Sequence, residues 1–243
     1  MTEFLVGTAI LFAYHLTVVF ALPLAIGTCT RLPLEVVRKA QHVAYALSMF
    51  LLLGLFEHWY LAVGAAFALP LVAYPVLALW ERHPSYGRLM TDRSVGGGEL
   101  RRQMMYVQLA FAILITAFWG GLGPDWRPLV AAAAMVWGFG DAAAALVGTL
   151  VGRHGVRHRD VEGAKTFEGT AAMIAAGAAA TFLTLTIYGG APWWVSLGAA
   201  ALVAPIAGIV ELFSRRGFDT LTVPLAAAGA LVPWWLLVAG TAG

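Results

Sequence analysis

The chain has 243 residues, 60% of them hydrophobic and only 12% charged, with a mean hydropathy of +0.80 and a formal net charge of +2. Soluble globular domains carry about 25% charged residues, so this composition excludes one and predicts an all-α integral membrane protein, a single multi-spanning domain over 1–243. The single cysteine excludes an internal disulfide, and no nucleic-acid partner is expected.

A hydrocarbon core of ~30 Å takes about 20 apolar residues per helix. Apolar windows between turn residues predict a bundle of about eight transmembrane helices, near 4–27, 41–56, 59–80, 104–122, 127–151, 169–188, 193–213 and 221–239. The N-terminal run lacks a basic region and a small-residue cleavage site, which predicts a first span and not a removed signal peptide. The fifth span is expected to break at Gly138-Phe139-Gly140. Pro23, Pro70, Pro75 and Pro205 fall inside spans, where kinks are tolerated if neighbouring helices satisfy the freed carbonyls. Ala-rich runs at 131–134 and 175–180 predict close helix contacts. Gly96-Gly97-Gly98 reads as a flexible connector.

Polar loops at 28–40, 81–103, 152–168 and 214–220 alternate with short connections at 57–58, 121–126 and 189–192. Fourteen of the fifteen basic residues fall in the polar loops; Arg127 is the exception. The positive-inside rule makes that side cytoplasmic. An even span count then puts both termini opposite, in a prokaryotic plasma membrane or an equivalent internal membrane.

Asp141 stands inside the apolar fifth span, and an ionisable group at membrane depth is costly enough to be a functional candidate by default. Ala145, Gly148 and Gly152 share its helical face. That small-residue face suits either tight packing or a groove where a ligand nears the backbone. Lys165, one of two lysines in the chain, precedes Thr166, Glu168, Gly169 and Thr170 at the mouth of the next span. A helix N-terminus favours phosphate, a lysine acts on phosphate as a point charge, and carboxylates with substrate phosphates are the usual way to hold Mg²⁺. Asp141, Lys165 and Glu168 therefore suggest a nucleotide–Mg²⁺ site.

Two formal matches fail on context. Gly138-Phe139-Gly140-Asp141-Ala142-Ala143 fits the dinucleotide pattern, but no strand precedes it. Gly163-Ala164-Lys165-Thr166 has its glycine one residue too far from the lysine for a Walker A loop, and His158 stands at the first glycine position. Glu211 reads alone as an end-of-helix charge, Asp219 as a helix cap, and Arg38-Lys39-x-x-His42 as a topology and headgroup cluster.

Gly140-Asp141-x-x-Ala144, the Gly148 and Gly152 pair, Lys165-Thr166-x-Glu168-Gly169-Thr170 and Asp219-Thr220-Leu221-Thr222-Val223-Pro224 resemble the signatures of the CTP-dependent polyprenol kinase family. That family includes phytol, dolichol and yeast-type diacylglycerol kinases. Arg38-Lys39-x-x-His42 is similar to a motif in its N-terminal part, so the resemblance runs from 38 to 224. Lipid cytidylyltransferases share a version of the lysine element; the Asp-x-Leu-Thr-Val-Pro element favours the kinases. Thr220 departs from the family's usual Asn.

The resemblance implies transfer of the γ-phosphoryl group of CTP to the hydroxyl of a membrane lipid alcohol. It implies that Asp141, Glu168 and Asp219 hold Mg²⁺, and that Lys165 neutralises developing charge. Thr166 and the N–H groups of Gly169 and Thr170 would bind phosphate beside Gly152, with Arg153 assisting. Asp141 or Asp219 would accept the hydroxyl proton. Arg38, Lys39, His42, Glu211 and Thr220 are accessory candidates. The alternatives are a CTP:lipid-phosphate cytidylyltransferase, which would release pyrophosphate, and a non-enzymatic transporter or lipid-binding protein. Nothing in the sequence sets the alcohol or the oligomeric state.

Overall fold

The structure, a computed structural model, describes residues 1–30, 32–83, 86, 98–161, 165–214 and 217–241. Arg31, Arg88, Arg93, Arg215, Arg216, residues 162–164, and Gly96 and Gly97 of the expected connector lie outside them. Eight helices are described: α1 (Thr2–Cys29), α2 (Leu34–Gly54), α3 (Trp59–Trp80), α4 (Glu99–Gly120), α5 (Arg127–Leu150), α6 (Phe167–Tyr188), α7 (Trp193–Phe213) and α8 (Asp219–Thr241). Among the described residues, the sole β-type pairing is one antiparallel bridge between Gly155 and Thr166. The fold is the expected all-α membrane bundle.

Seven of these helices are long and apolar enough to cross a membrane, against the expected count of about eight. The difference is α2, which has 21 residues but spends its first half on Glu35, Arg38, Lys39, Gln41 and His42. The expected span at 41–56 covers only its apolar half. Pro33 and Pro192 immediately precede α2 and α7, where proline pre-sets φ and removes an N–H that the helix does not use.

The centre of the bundle is α5, packed against α2, α6 and α8. Leu129 to Ala134 and Val136 are fully buried, so the Ala run does bring backbones together. Large apolar side chains point the other way: Leu71, Leu79 and Ile187 are 79%, 68% and 76% exposed. An apolar exterior of this extent is the pattern of a lipid-facing surface. The bundle is that of an integral membrane protein.

The expected break at Gly138-Phe139-Gly140 is absent, because α5 runs unbroken through it. The two glycines serve packing instead. A Cβ on Gly138 would collide with Ala46 on α2, and one on Gly140 would collide with the Met173 side chain on α6. Glycine there sets how closely α2 and α6 approach the central helix. It also fixes what stands beside the next residue, Asp141.

Candidate functional site

Helix direction alternates along the chain. The starts of α2, α4, α6 and α8 and the ends of α5 and α7 therefore meet at one end of the bundle. They enclose a cavity of about 770 Å³. Its wall is polar and of mixed charge: Glu35, Arg38, Lys39 and His42 from α2; Glu99, Arg102 and Gln103 from α4; Asp141, Gly148 and Thr149 from α5. Lys165, Thr166, Gly169 and Thr170 come from α6 and the residues before it, Glu211 and Ser214 from the end of α7, and Asp219 from the start of α8. Both lysines of the chain are thus on one cavity wall.

Asp141 is 4% exposed and Lys39 is also 4% exposed; the Lys39 Nζ donates to Asp141 Oδ2 at 2.6 Å. A buried carboxylate is tolerable when paired and hydrogen-bonded, and Lys39 supplies both conditions. His42 adds its Nε2 at 4.0 Å from the same oxygen, while its Nδ1–H donates to the Arg38 carbonyl at 2.9 Å. Arg38 is fixed in turn by Glu35, at 2.6 Å. One turn and a half of α2 thus presents two cations, Arg38 and Lys39, and the His42 ring to Asp141 on α5.

Lys165 closes the opposite wall. Its Nζ lies 3.0 Å from Glu211 Oε1, 3.0 Å from the Ser214 carbonyl oxygen, and also donates to the Glu211 carbonyl. An ammonium has three protons, and these three acceptors match them. Two of the acceptors are carbonyls at the C-terminus of α7, where a cation is favoured by the helix dipole. Lys165 is therefore a C-terminal cap for α7 and a fixed positive charge on the cavity at once.

The α6 N-terminus is built by Thr166, whose Oγ1 accepts from the Gly169 N–H at 3.1 Å. The Thr170 N–H donates to the Thr166 carbonyl at 3.0 Å. Both N–H groups expected to hold phosphate are thus engaged inside the helix, whose first turn lines the cavity with Thr166, Gly169 and Thr170. Gly169 lets α6 cross α5 closely, since a Cβ there would lie 2.8 Å from the Ala144 carbonyl oxygen.

Four of the sequence candidates stand apart from this wall. Glu168 accepts from the His154 side chain at 2.6 Å and from its backbone N–H at 3.3 Å, which turns it towards the loop. Arg153 is exposed in the same loop. Gly152 lies behind Thr166, where a Cβ would come within 2.9 Å of Thr166 Oγ1. Thr220 is buried behind Asp219, at 2% exposure. Sequence reasoning missed Glu35, Glu99, Arg102 and Gln103 on the wall, and the Lys39–Asp141 pair. The scarcity of lysine was the available signal for that pair: both lysines are in this cavity. Among the described residues, the one grouping close enough to be a preformed ion site is Glu3, Glu57 and His58, at the other end of the bundle.

The fold and site define an integral membrane protein with a polar, mixed-charge cavity of small-molecule size at one end of its helical bundle. A phytol kinase from Synechocystis sp. is 32% identical to this chain over 210 residues, covering 83% of this chain and 79% of that protein. The chain belongs to the polyprenol and phytol kinase family, and it is a kinase. No family model matches the chain, and no solved structure matches it.

Proposed function

We propose that this protein transfers the γ-phosphoryl group of CTP to the hydroxyl of a membrane prenol, at the cytoplasmic end of the bundle. The observation that carries this reading is the cavity wall itself, where both lysines, two arginines and the carboxylates of Asp141, Glu211 and Asp219 converge from six helix ends. Phosphoryl transfer demands mainly positioning and charge neutralisation, and this wall supplies fixed charges of both signs. A volume of about 770 Å³ is within the range of small-molecule sites. The similarity to a phytol kinase supports a prenol acceptor. The cytoplasmic assignment rests on the basic residues in the loops at this end.

Mg²⁺ fits the donor set. It takes hard oxygen ligands, and it is usually held by one or two carboxylates together with substrate phosphates. Asp141 and Asp219 would hold it here, because both face the cavity, whereas Glu168 is committed to His154. When bound, the ion neutralises phosphate charge. The chain's own residues do the rest. Arg102 presents a guanidinium group, which matches phosphate bidentately, while Arg38, already held at two points by Glu35, adds positive charge to the wall. Lys165 places its charge at the α7 end without giving up its three acceptors. The Thr166 hydroxyl, which accepts from the Gly169 N–H, keeps its own proton for a phosphate oxygen, whereas the Thr170 hydroxyl donates to the Thr166 carbonyl at 3.2 Å. Lys39 pairs with Asp141 and fixes where its carboxylate points. In the reaction the alcohol oxygen bonds to the γ-phosphorus, the bond from that phosphorus to the β–γ bridging oxygen breaks, CDP leaves, and the hydroxyl proton passes to a basic group on the wall.

The test is an incubation of the protein in lipid discs with labelled CTP and a panel of lipid alcohols. Formation of CDP and a phosphorylated alcohol is the expected outcome. Release of pyrophosphate would instead mark a cytidylyltransferase, and failure to bind CTP would overturn the nucleotide assignment.

A further inference from the structure

The chain after α5 doubles back along the residues that lead into α6. The Val156 N–H donates to the Lys165 carbonyl at 2.9 Å, and the Phe167 N–H donates to the His154 carbonyl at 3.0 Å. These two bonds form the antiparallel bridge between Gly155 and Thr166, a short strap with Lys165 on one arm. The arms approach closely because glycines stand where they cross. A Cβ on Gly152 would collide with the Gly148 carbonyl and lie 2.9 Å from Thr166 Oγ1, and one on Gly148 would lie 3.2 Å from the same hydroxyl. At the base of the strap Glu168 grips the opposite arm. Its carboxylate accepts from the His154 side chain at 2.6 Å and from the His154 backbone N–H at 3.3 Å. Glu168 stands in the first turn of α6, where the helix dipole favours a carboxylate.

We propose that Glu168 and His154 form a clasp that positions Lys165, so that the acidic residue of this motif acts through the lysine and not on the metal. The proposal rests on the CTP-kinase reading for what Lys165 does at the cavity, and adds what holds it there. A lysine side chain is a flexible four-carbon stem, and its charge serves a reacting phosphate best when both ends of the stem are fixed. The ammonium end is held by the Glu211 carboxylate and by the carbonyls of Glu211 and Ser214. The backbone end is held by the Val156 N–H on the Lys165 carbonyl. The clasp secures the arm that carries both His154 and Val156. Thr166 follows Lys165 on the other arm and lines the same cavity, so one device places both side chains. The His154 side chain is 76% exposed, and an exposed pair adds little to global stability. Loss of the clasp is therefore read at Lys165 and not in unfolding.

The chain has only two lysines, which makes the test direct. Amine acylation of the protein in lipid discs, followed by peptide mass spectrometry, reads Lys165 with the buried Lys39 as internal control. Without nucleotide, Glu168→Ala is expected to speed acylation of Lys165 by about fivefold, the shift that one ordinary hydrogen bond gives, and to leave Lys39 unchanged. His154→Ala keeps its backbone N–H and should show a smaller rise at the same lysine. Glu168→Gln keeps an acceptor oxygen for His154 and should stay near wild type. With labelled CTP and a prenol, Glu168→Ala should lower kcat by about tenfold. In a Lys165→Met background the same substitution should change kcat by less than about twofold, because the two residues act as a unit. The Mg²⁺ concentration giving half-maximal rate should match wild type in every Glu168 and His154 variant. Raised Lys165 acylation in a protein that shows no turnover with CTP would keep the clasp and sink the CTP-kinase reading. Unchanged acylation in both alanine variants would overturn the clasp. So would a raised Mg²⁺ requirement confined to the Glu168 variants, which would mark a metal ligand, or equal rises at Lys165 and Lys39, which would mark general loosening.

Discussion

Lys39→Met isolates the role of the buried ion pair. The substitution keeps most of the side-chain volume and removes only the ammonium, leaving Asp141 at 4% exposure with its 2.6 Å partner gone. Breaking one side of a buried pair costs about 3–5 kcal/mol, because an uncompensated charge remains. The polar cavity beside Asp141 lets water reach the carboxylate, which places the expected loss near the lower end, about 3 kcal/mol or a ~150-fold shift in the folding equilibrium. Removing both charges in Lys39→Met/Asp141→Leu should restore most of that stability, since replacing a whole buried pair by apolar groups is often neutral. Denaturant unfolding in detergent, run on both single variants and the double, gives the coupling energy directly. The double variant should be stable and inactive, separating the scaffold role of the pair from its role at the reacting phosphate. A Lys39→Met protein within about 0.5 kcal/mol of wild type would refute the reasoning, because Asp141 would then be satisfied by something other than Lys39.

Three further outcomes are expected. Lys165→Met should lower turnover with labelled CTP by about 10²–10³-fold, the scale of removing one preorganised charge or donor, and should also loosen the end of α7, seen as faster amide exchange around Ser214. Near-normal turnover would remove Lys165 from the site. Gly169→Ala places a Cβ 2.8 Å from the Ala144 carbonyl, which backbone cannot yield to; a loss of about 1–3 kcal/mol in detergent unfolding is expected. Thr166→Val deletes the acceptor for the Gly169 N–H and should cost about 1 kcal/mol by the same measurement.

The composition alone identified a helical membrane bundle, and charge placement along the chain identified the end where the site forms. Asp141 was legible as a charge inside an apolar span, and Lys165 by the scarcity of lysine and its place before a helix start; Asp219 read alone as a helix cap and became a candidate only through the family resemblance. Their neighbours were not legible. Lys39 looked like an ordinary loop-side cation because periodicity gives a residue's own face and not the helix opposite it. Glu211 read as a snorkelling end charge, since its partner Lys165 approaches from a loop 46 residues earlier. Glu168 shows the converse: its motif made it a Mg²⁺ ligand, while a histidine in the preceding loop engages its carboxylate at 2.6 Å. The glycines before Asp141 were mistaken for a helix break because glycine signals chain freedom and close packing equally well. Only the positions of Ala46 and Met173 decide between the two.

The pairing of Lys39 with Asp141 also constrains how the protein is made. The partners are separated by 102 residues, and α2 is the helix too polar to qualify as a span by its own hydropathy. At a synthesis rate of roughly 5–20 residues per second, Lys39 leaves the ribosome about 5–20 s before its counter-ion exists. Until then burying Lys39 would leave an uncompensated charge, so the aqueous boundary is the more favourable place for the polar half of α2 before α5 is made.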